Sequence, residues 1–195
     1  MRTKEGNKEK DILNAAVKIF AEYGYHNSKI YQIAQEASVA TGSVYVYYKN
    51  KEDLLHKIFE MLWSRLYLEM KKVVETKSAS SIEKIDSMID LYMDVFAENP
   101  SLALVFVNEQ INASRNPNRF TKYYDKFLDL AESTLEKGKA EGEIIADLDM
   151  IIFRQFIFGA LRNLIHRWAE EPEEYSLGRI RRNFKFFIKH GIVNK

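Results

Sequence analysis

Three prolines in 195 residues leave long uninterrupted runs of chain, and this constrains the fold more than any other feature of the sequence. Two of them, in Asn99-Pro100 and Asn116-Pro117, follow a residue suited to capping, so each marks the first turn of a helix rather than a break. The third, Pro172, stops the helix before it. Between these points apolar residues recur at three and four, and no stretch shows the sustained alternation of a strand between turn dipeptides. The expectation is an all-α chain of about nine helices.

The pattern predicts a first helix from about Asn7 to Tyr23, stopped by Gly24, and a short second helix capped by Ser28. After a tight turn at Ser38 and Val39, a third helix covers Thr41–Tyr47. Asn50 caps a fourth that runs to the break at Thr76, and a capping box of Ser80 with Glu83 opens the fifth. The sixth runs from Pro100 to about Ala113 and the seventh from Pro117 to about Gly138, with Phe120 on its apolar side. The eighth spans about Asp147 to Glu171. The ninth runs from Ser176 to His190, with Gly191 as its stop.

With 46% hydrophobic and 29% charged residues the chain can bury a real core. The net charge of +1 hides an uneven distribution. Residues 1–51 carry eight basic against five acidic side chains, 52–177 fifteen against twenty-three, and 178–195 six against none. A mildly basic head can approach a polyanion while the acidic middle stays in solvent. The absence of cysteine removes disulfides and thiol chemistry and suits a reducing cytoplasm. The polar start, MRTKEGNKEK, lacks the apolar core of a secretion signal, and the apolar stretch Leu148–Trp168 is broken by Arg154, Arg162 and Arg167, so no membrane partner is expected.

Three helices around Ile12, Phe20, Ile33, Ala37 and Val44 would form a compact head. The short turn between the second and third is helix-turn-helix spacing, in which the later helix enters the major groove of double-stranded DNA. Thr41, Gly42 and Ser43 are small enough for close approach, Tyr45 and Tyr47 diverge, and Lys51 suits a phosphate. Val44 and Tyr48 are read as core, His26 and Tyr31 as surface.

The stretch from Ile12 to Leu55 resembles the DNA-binding head of the TetR family of transcriptional repressors. The similarity is carried by the alanine pair and Phe20, Gly24-Tyr25, Ile33-Ala34, Gly42, Tyr45 and the run Tyr48–Glu52. The resemblance implies phosphate contacts from Ser28, Tyr47 and Lys51, and groove contacts from Thr41, Gly42, Ser43 and Tyr45. Two positions depart from the pattern: Ser38 stands where the family commonly has glycine, and Ala40 where it has a serine cap. Ser38 is then expected in a backbone conformation that glycine tolerates better, and Thr41 is left to cap the third helix.

The same resemblance divides the chain into a head, 1–50, and a body, 51–195, that binds an effector and dimerises. Helix eight, with Ile151, Ile152, Phe153, Phe156, Ile157, Phe158, Leu161, Leu164, Ile165 and Trp168, is apolar on nearly all sides and needs cover on both faces. One face would meet the body and the other a second copy, through Phe153, Gly159, Ile180, Phe184, Phe187 and Ile188. An internal hairpin in a monomer is the alternative. Trp63, Leu66, Met70, Phe106, Tyr124, Phe127 and Phe156 are the candidates to line a cavity for a small hydrophobic effector, with Asn108, Arg154, Arg162 and His166 to orient its polar end. The length and the QFIFGAL…W segment from Gln155 to Trp168 resemble the subgroup that senses fatty acyl-CoA. The acidic middle points instead to a cationic amphiphile, although Asp86, Asp90 and Asp94 fall on a polar, solvated helix face.

Four scattered histidines and the absence of a glycine-rich phosphate loop or nucleophile elbow give no metal site, cofactor or enzyme chemistry to expect. The expectation is a homodimeric repressor on a palindromic operator, released by its ligand. The competing reading is a helical ligand-binding or scaffolding protein whose head no longer reads DNA.

Overall fold

The computed structural model describes residues 8–114 and 122–193. Among them are helices α1 (Lys8–Tyr23), α2 (Ile30–Glu36), α3 (Thr41–Tyr47), α4 (Lys51–Glu75), α5 (Ser81–Ala97), α6 (Pro100–Ser114), α7 (Lys122–Ala140), α8 (Met150–Glu170) and α9 (Leu177–Ile192). The all-α expectation holds. The chain packs as two compact units, one of residues 8–62 with 101–114 and one of 63–100 with 122–193. Asn116-Pro117 and Phe120 lie outside the described residues.

Local chemistry accounts for most boundaries. Gly24 ends α1 with φ 75°, as its lack of a Cβ allows. The Ser80 hydroxyl accepts from the Glu83 amide while the Glu83 carboxylate accepts from the Ser80 amide at 2.8 Å, the expected capping box. Asn50 caps α4 through the Asp53 amide at 2.9 Å. Asp149 caps α8 by accepting from Ile151 and Ile152, so α8 starts later than the pattern suggests.

Three expected caps are corrected. Ser28 is not the cap of α2: it is buried, and its hydroxyl lies 2.6 Å from the Gly24 carbonyl oxygen and 3.1 Å from that of Ile19, pinning the end of α1. Lys29 is the N-cap residue, and its amide donates to the Gln32 side chain at 2.7 Å. Thr41 is the first residue of α3, not its cap; Ala40 holds that place without a side-chain acceptor. Gly191 is no stop, because α9 continues to Ile192, whose carbonyl accepts from the Ile145 amide at 2.9 Å. A tertiary contact there overrides the local glycine signal.

The turn between α2 and α3 is a Schellman motif. The Val39 amide donates to the Ala34 carbonyl at 2.9 Å and the Ser38 amide to the Gln35 carbonyl at 3.0 Å. Ser38 takes φ 55°, the one positive value at a non-glycine position among the described residues, as the missing glycine predicts. The left-handed conformation costs a non-glycine residue about 1–2 kcal/mol, and glycine's extra freedom in the unfolded chain returns roughly half of that. Ser38→Gly is therefore expected to stabilise the protein by about 0.5–1 kcal/mol, read as a higher midpoint in thermal or urea unfolding.

Candidate nucleic-acid interface and body cavity

The 8–62 and 101–114 unit presents α3 as an almost bare helix. Of its seven residues only Val44 is buried, fully, and Tyr48 just beyond it is buried as well. At about 100° per residue, the line opposite Val44 passes between Gly42 and Val46, with Ser43 and Tyr45 on the flanks. Exposure follows that geometry: Val46 is 78% exposed, Tyr45 55% and Tyr47 39%. Thr41 and Gly42 are exposed and Ser43 half-buried. A Cβ built at Gly42 meets no atom within 4 Å, so this glycine answers no packing need inside the protein. Val46 carries no polar signal in the sequence; its place follows from projecting the helix from Val44 as its inward residue.

The supports of α3 differ from those expected. Lys51, placed by resemblance at a phosphate, gives its ammonium to the carbonyls of Tyr25, His26 (3.0 Å) and Ser28 (3.1 Å), with Nζ 4.6 Å from the Tyr25 ring centroid. Desolvation first, and the nearby Lys29 second, hold its pKa below the usual lysine range against the opposing pull of Glu109. Lys51 thus ties the start of α4 to the α1–α2 connection. Ser28, buried beneath that connection, does not present its hydroxyl to a phosphate. The Tyr48 hydroxyl donates to Glu9 at 3.4 Å, and burial raises its pKa. Tyr31 and His26 are exposed.

The other unit holds a partly open cavity of about 90 Å³ lined by α4, α5, α7, α8 and α9. Of the residues expected there, Met70 and Phe127 do line it. Trp63 and Tyr124 meet edge to face with ring centroids 4.7 Å apart, Trp63 lies 5.4 Å from Phe127, and neither lines the cavity. Leu66 is buried without lining it, and Phe106 packs on Phe59 in the head's unit at 6.3 Å. Phe156 points outward, 62% exposed. Phe153, Phe184 and Ile188, expected at a subunit seam, line the cavity instead, and Ile180 is buried with them on the inward stripe of α9. Only Gly159 and Phe187 of that set face outward, joined by Ile151, Ile152, Phe156 and Phe186. Ile180, Phe184 and Ile188 turn inward because, spaced by four, they form the inner face of α9.

Polar groups frame the cavity without entering it. Arg154 pairs with Glu132 at 2.9 Å, and both line a smaller space of about 60 Å³ that shares Ala131, Leu135, Phe153, Ile157 and Phe158 with the larger. Arg181 pairs with Asp90 and Asp94, and Lys185 with Asp86 (3.4 Å) and Asp90 (2.6 Å), along the α5–α9 seam. The three aspartates expected to be merely solvated are therefore engaged. His166 pairs with Glu170 at 3.1 Å, and Asn108 is exposed in the head's unit.

Comparison with known proteins covers most of the chain. Residues 12–58 match the family model for bacterial regulatory proteins of the tetR family, and residues 48–191 match that of the YsiA-like protein C-terminal region. Over 188 residues the chain is 31% identical to the fatty acid metabolism regulator protein of Bacillus subtilis (strain 168), spanning 94% of this chain and 95% of that one. It resembles the solved fatty acid degradation regulator FadR of Bacillus halodurans (TM-score 0.84, 27% identity, 97% and 98% of the two chains). It also resembles the FadR regulator of Bacillus subtilis solved with stearoyl-CoA (TM-score 0.81, 28% identity, 94% and 98%).

A substitution at Gly42 would read folding and binding separately. Gly42→Ala adds a methyl group in open space on a helix, so unfolding experiments should show a gain of about 0.5–1 kcal/mol. The same methyl stands on the outward line of α3, and affinity for duplex DNA, measured by anisotropy, should fall severalfold.

Proposed function

This chain belongs to the TetR family of bacterial regulatory proteins, and on that premise we propose that it represses transcription as a homodimer on a palindromic operator and is released by a long-chain fatty acyl-CoA. It is a transcriptional regulator; the repressing sense, the dimer and the effector are the proposed part. Residues 1–50 serve as reader and 51–195 as the effector-binding and dimerising part. The role is not enzymatic and places the protein in the cytoplasm. Among the described residues no helix is long and apolar enough to cross a membrane.

The observation that carries the effector assignment is the lining of the larger cavity, which is apolar throughout apart from Tyr92, whose burial raises its pKa. The B. subtilis relative solved with stearoyl-CoA and the relative named for fatty acid metabolism supply the ligand class. A cationic amphiphile would need unpaired carboxylates at the cavity. Asp86, Asp90, Asp94 and Glu132 are instead held by arginine and lysine. The cavity of about 90 Å³ is smaller than a long acyl chain, and in this reading binding spreads the lining of α5, α7, α8 and α9. A ligand that binds the spread form better shifts the population towards it, and with it the spacing of two paired heads.

The dimer reading is supported by the outward face of α8 and α9, where Ile151, Ile152, Phe156, Phe186 and Phe187 are each more than half exposed and Gly159 leaves room for a partner helix. Such an apolar face on a helix that also lines an apolar cavity calls for a second cover. A twofold pair built on it matches a palindrome with half-sites about one helical turn apart.

Two outcomes test these parts. Ala131 lines both cavities, so Ala131→Phe should fill the space, weaken stearoyl-CoA binding by an order of magnitude or more, and leave the variant's affinity for DNA unresponsive to added stearoyl-CoA. Calorimetric titration and anisotropy read the two effects. Phe156→Asp with Phe187→Asp should give a folded monomer in sedimentation and lose the tight complex with a palindrome.

A further inference from the structure

Val46 is the most exposed of the large hydrophobic side chains among the described residues, at 78%. A lone exposed valine on a protein surface is ordinary and needs no explanation. This one stands on the outward line of α3, in its last turn, where Thr41, Gly42, Tyr45 and Tyr47 are also exposed and Ser43 is half-buried. Val46 and Gly42 follow each other at one turn, and both lie within about 20° of the direction opposite the buried Val44. With open space around Gly42, nothing on that line projects beyond the backbone until the isopropyl group of Val46. When α3 enters a groove, Val46 is therefore the side chain that stands out along that outward line, in the last turn of the helix.

An isopropyl group neither donates nor accepts a hydrogen bond. The base edges in the major groove display donors and acceptors with a single apolar group among them, the 5-methyl of thymine. Any other edge beneath Val46 would lose its water without gaining a partner, a penalty that falls on the wrong base alone. The geometry points to Val46 as a specificity-determining residue that selects a thymine methyl in each half-site of the operator, between the polar contacts of the flanking Ser43 and Tyr45. The assignment rests on the reading of α3 as the DNA-reading helix and adds the base chemistry that it selects.

The test uses the full chain and the tightest duplex recovered from a random pool. Each thymine of that duplex is replaced in turn by uracil, which keeps base pairing and removes only the methyl group. Binding is measured for the natural chain and for Val46→Ala, whose exposed position leaves the fold intact, as a matching thermal midpoint would verify. One thymine per half-site should weaken binding about fourfold on conversion to uracil, the effect of exposing one methyl-sized apolar group. That loss should vanish in Val46→Ala. If every uracil effect persists unchanged in Val46→Ala, or if none appears although one duplex is bound well above bulk DNA, the role of Val46 is overturned while the DNA-reading helix stands. If no sequence is preferred over bulk DNA, the reading of α3 fails and takes this inference with it.

Discussion

One buried side chain and two fixed ends hold α3 in place. Val44 is the single residue of α3 inside the core, and a helix of two turns has too few internal hydrogen bonds to persist alone. Its order comes from its ends. A Schellman turn at Ser38 fixes its entry, and buried Tyr48 with the Asn50 cap of α4 fixes its exit. Lys51 holds that exit against the connection between α1 and α2 through three carbonyls. A helix attached by its ends and one valine can leave the rest of its surface bare, which is what reading a groove requires.

The body solves the opposite problem, an excess of apolar surface. Helix α8 buries Leu161, Ile165 and Trp168, gives Phe153, Ile157 and Phe158 to the cavity and leaves Ile151, Ile152 and Phe156 outside. In α9 the residues at spacing four turn inward, and the ion pairs of Arg181 and Lys185 with α5 close the seam above them. Arg181 and Lys185 are half-buried and share Asp90, so their pairs act as one network over the apolar packing around the cavity. A cavity lining and an outward apolar face on the same two helices mean that a change in one bears directly on the other. In the proposed regulator, that is how an acyl chain in the body would alter the spacing of two heads.

The sequence made the helices legible because their signals are local: the capping box at Ser80, the stop at Gly24 and the strain at Ser38 all lie where short-range chemistry places them. It misled where a residue has two possible partners. Ser28 and Lys51 both have side chains suited to a phosphate, yet each is spent on backbone carbonyls that come close only once the head is folded. Phe153, Phe184 and Phe156 are equally apolar, and only packing decides which of them face the cavity and which face outward. Val46 went unnoticed because its type carries no polar chemistry, while its position on the helix carries all of the argument.

The central claim is that the outward face of α3 is the surface that duplex DNA covers. Hydroxyl-radical labelling with mass spectrometry, on the protein alone and on its selected duplex, measures this side chain by side chain. Tyr45, Val46 and Tyr47 should lose most of their labelling in the complex, while the half-buried Tyr123 of the body keeps its own. Unchanged labelling of the three α3 residues in a saturated complex would contradict the account.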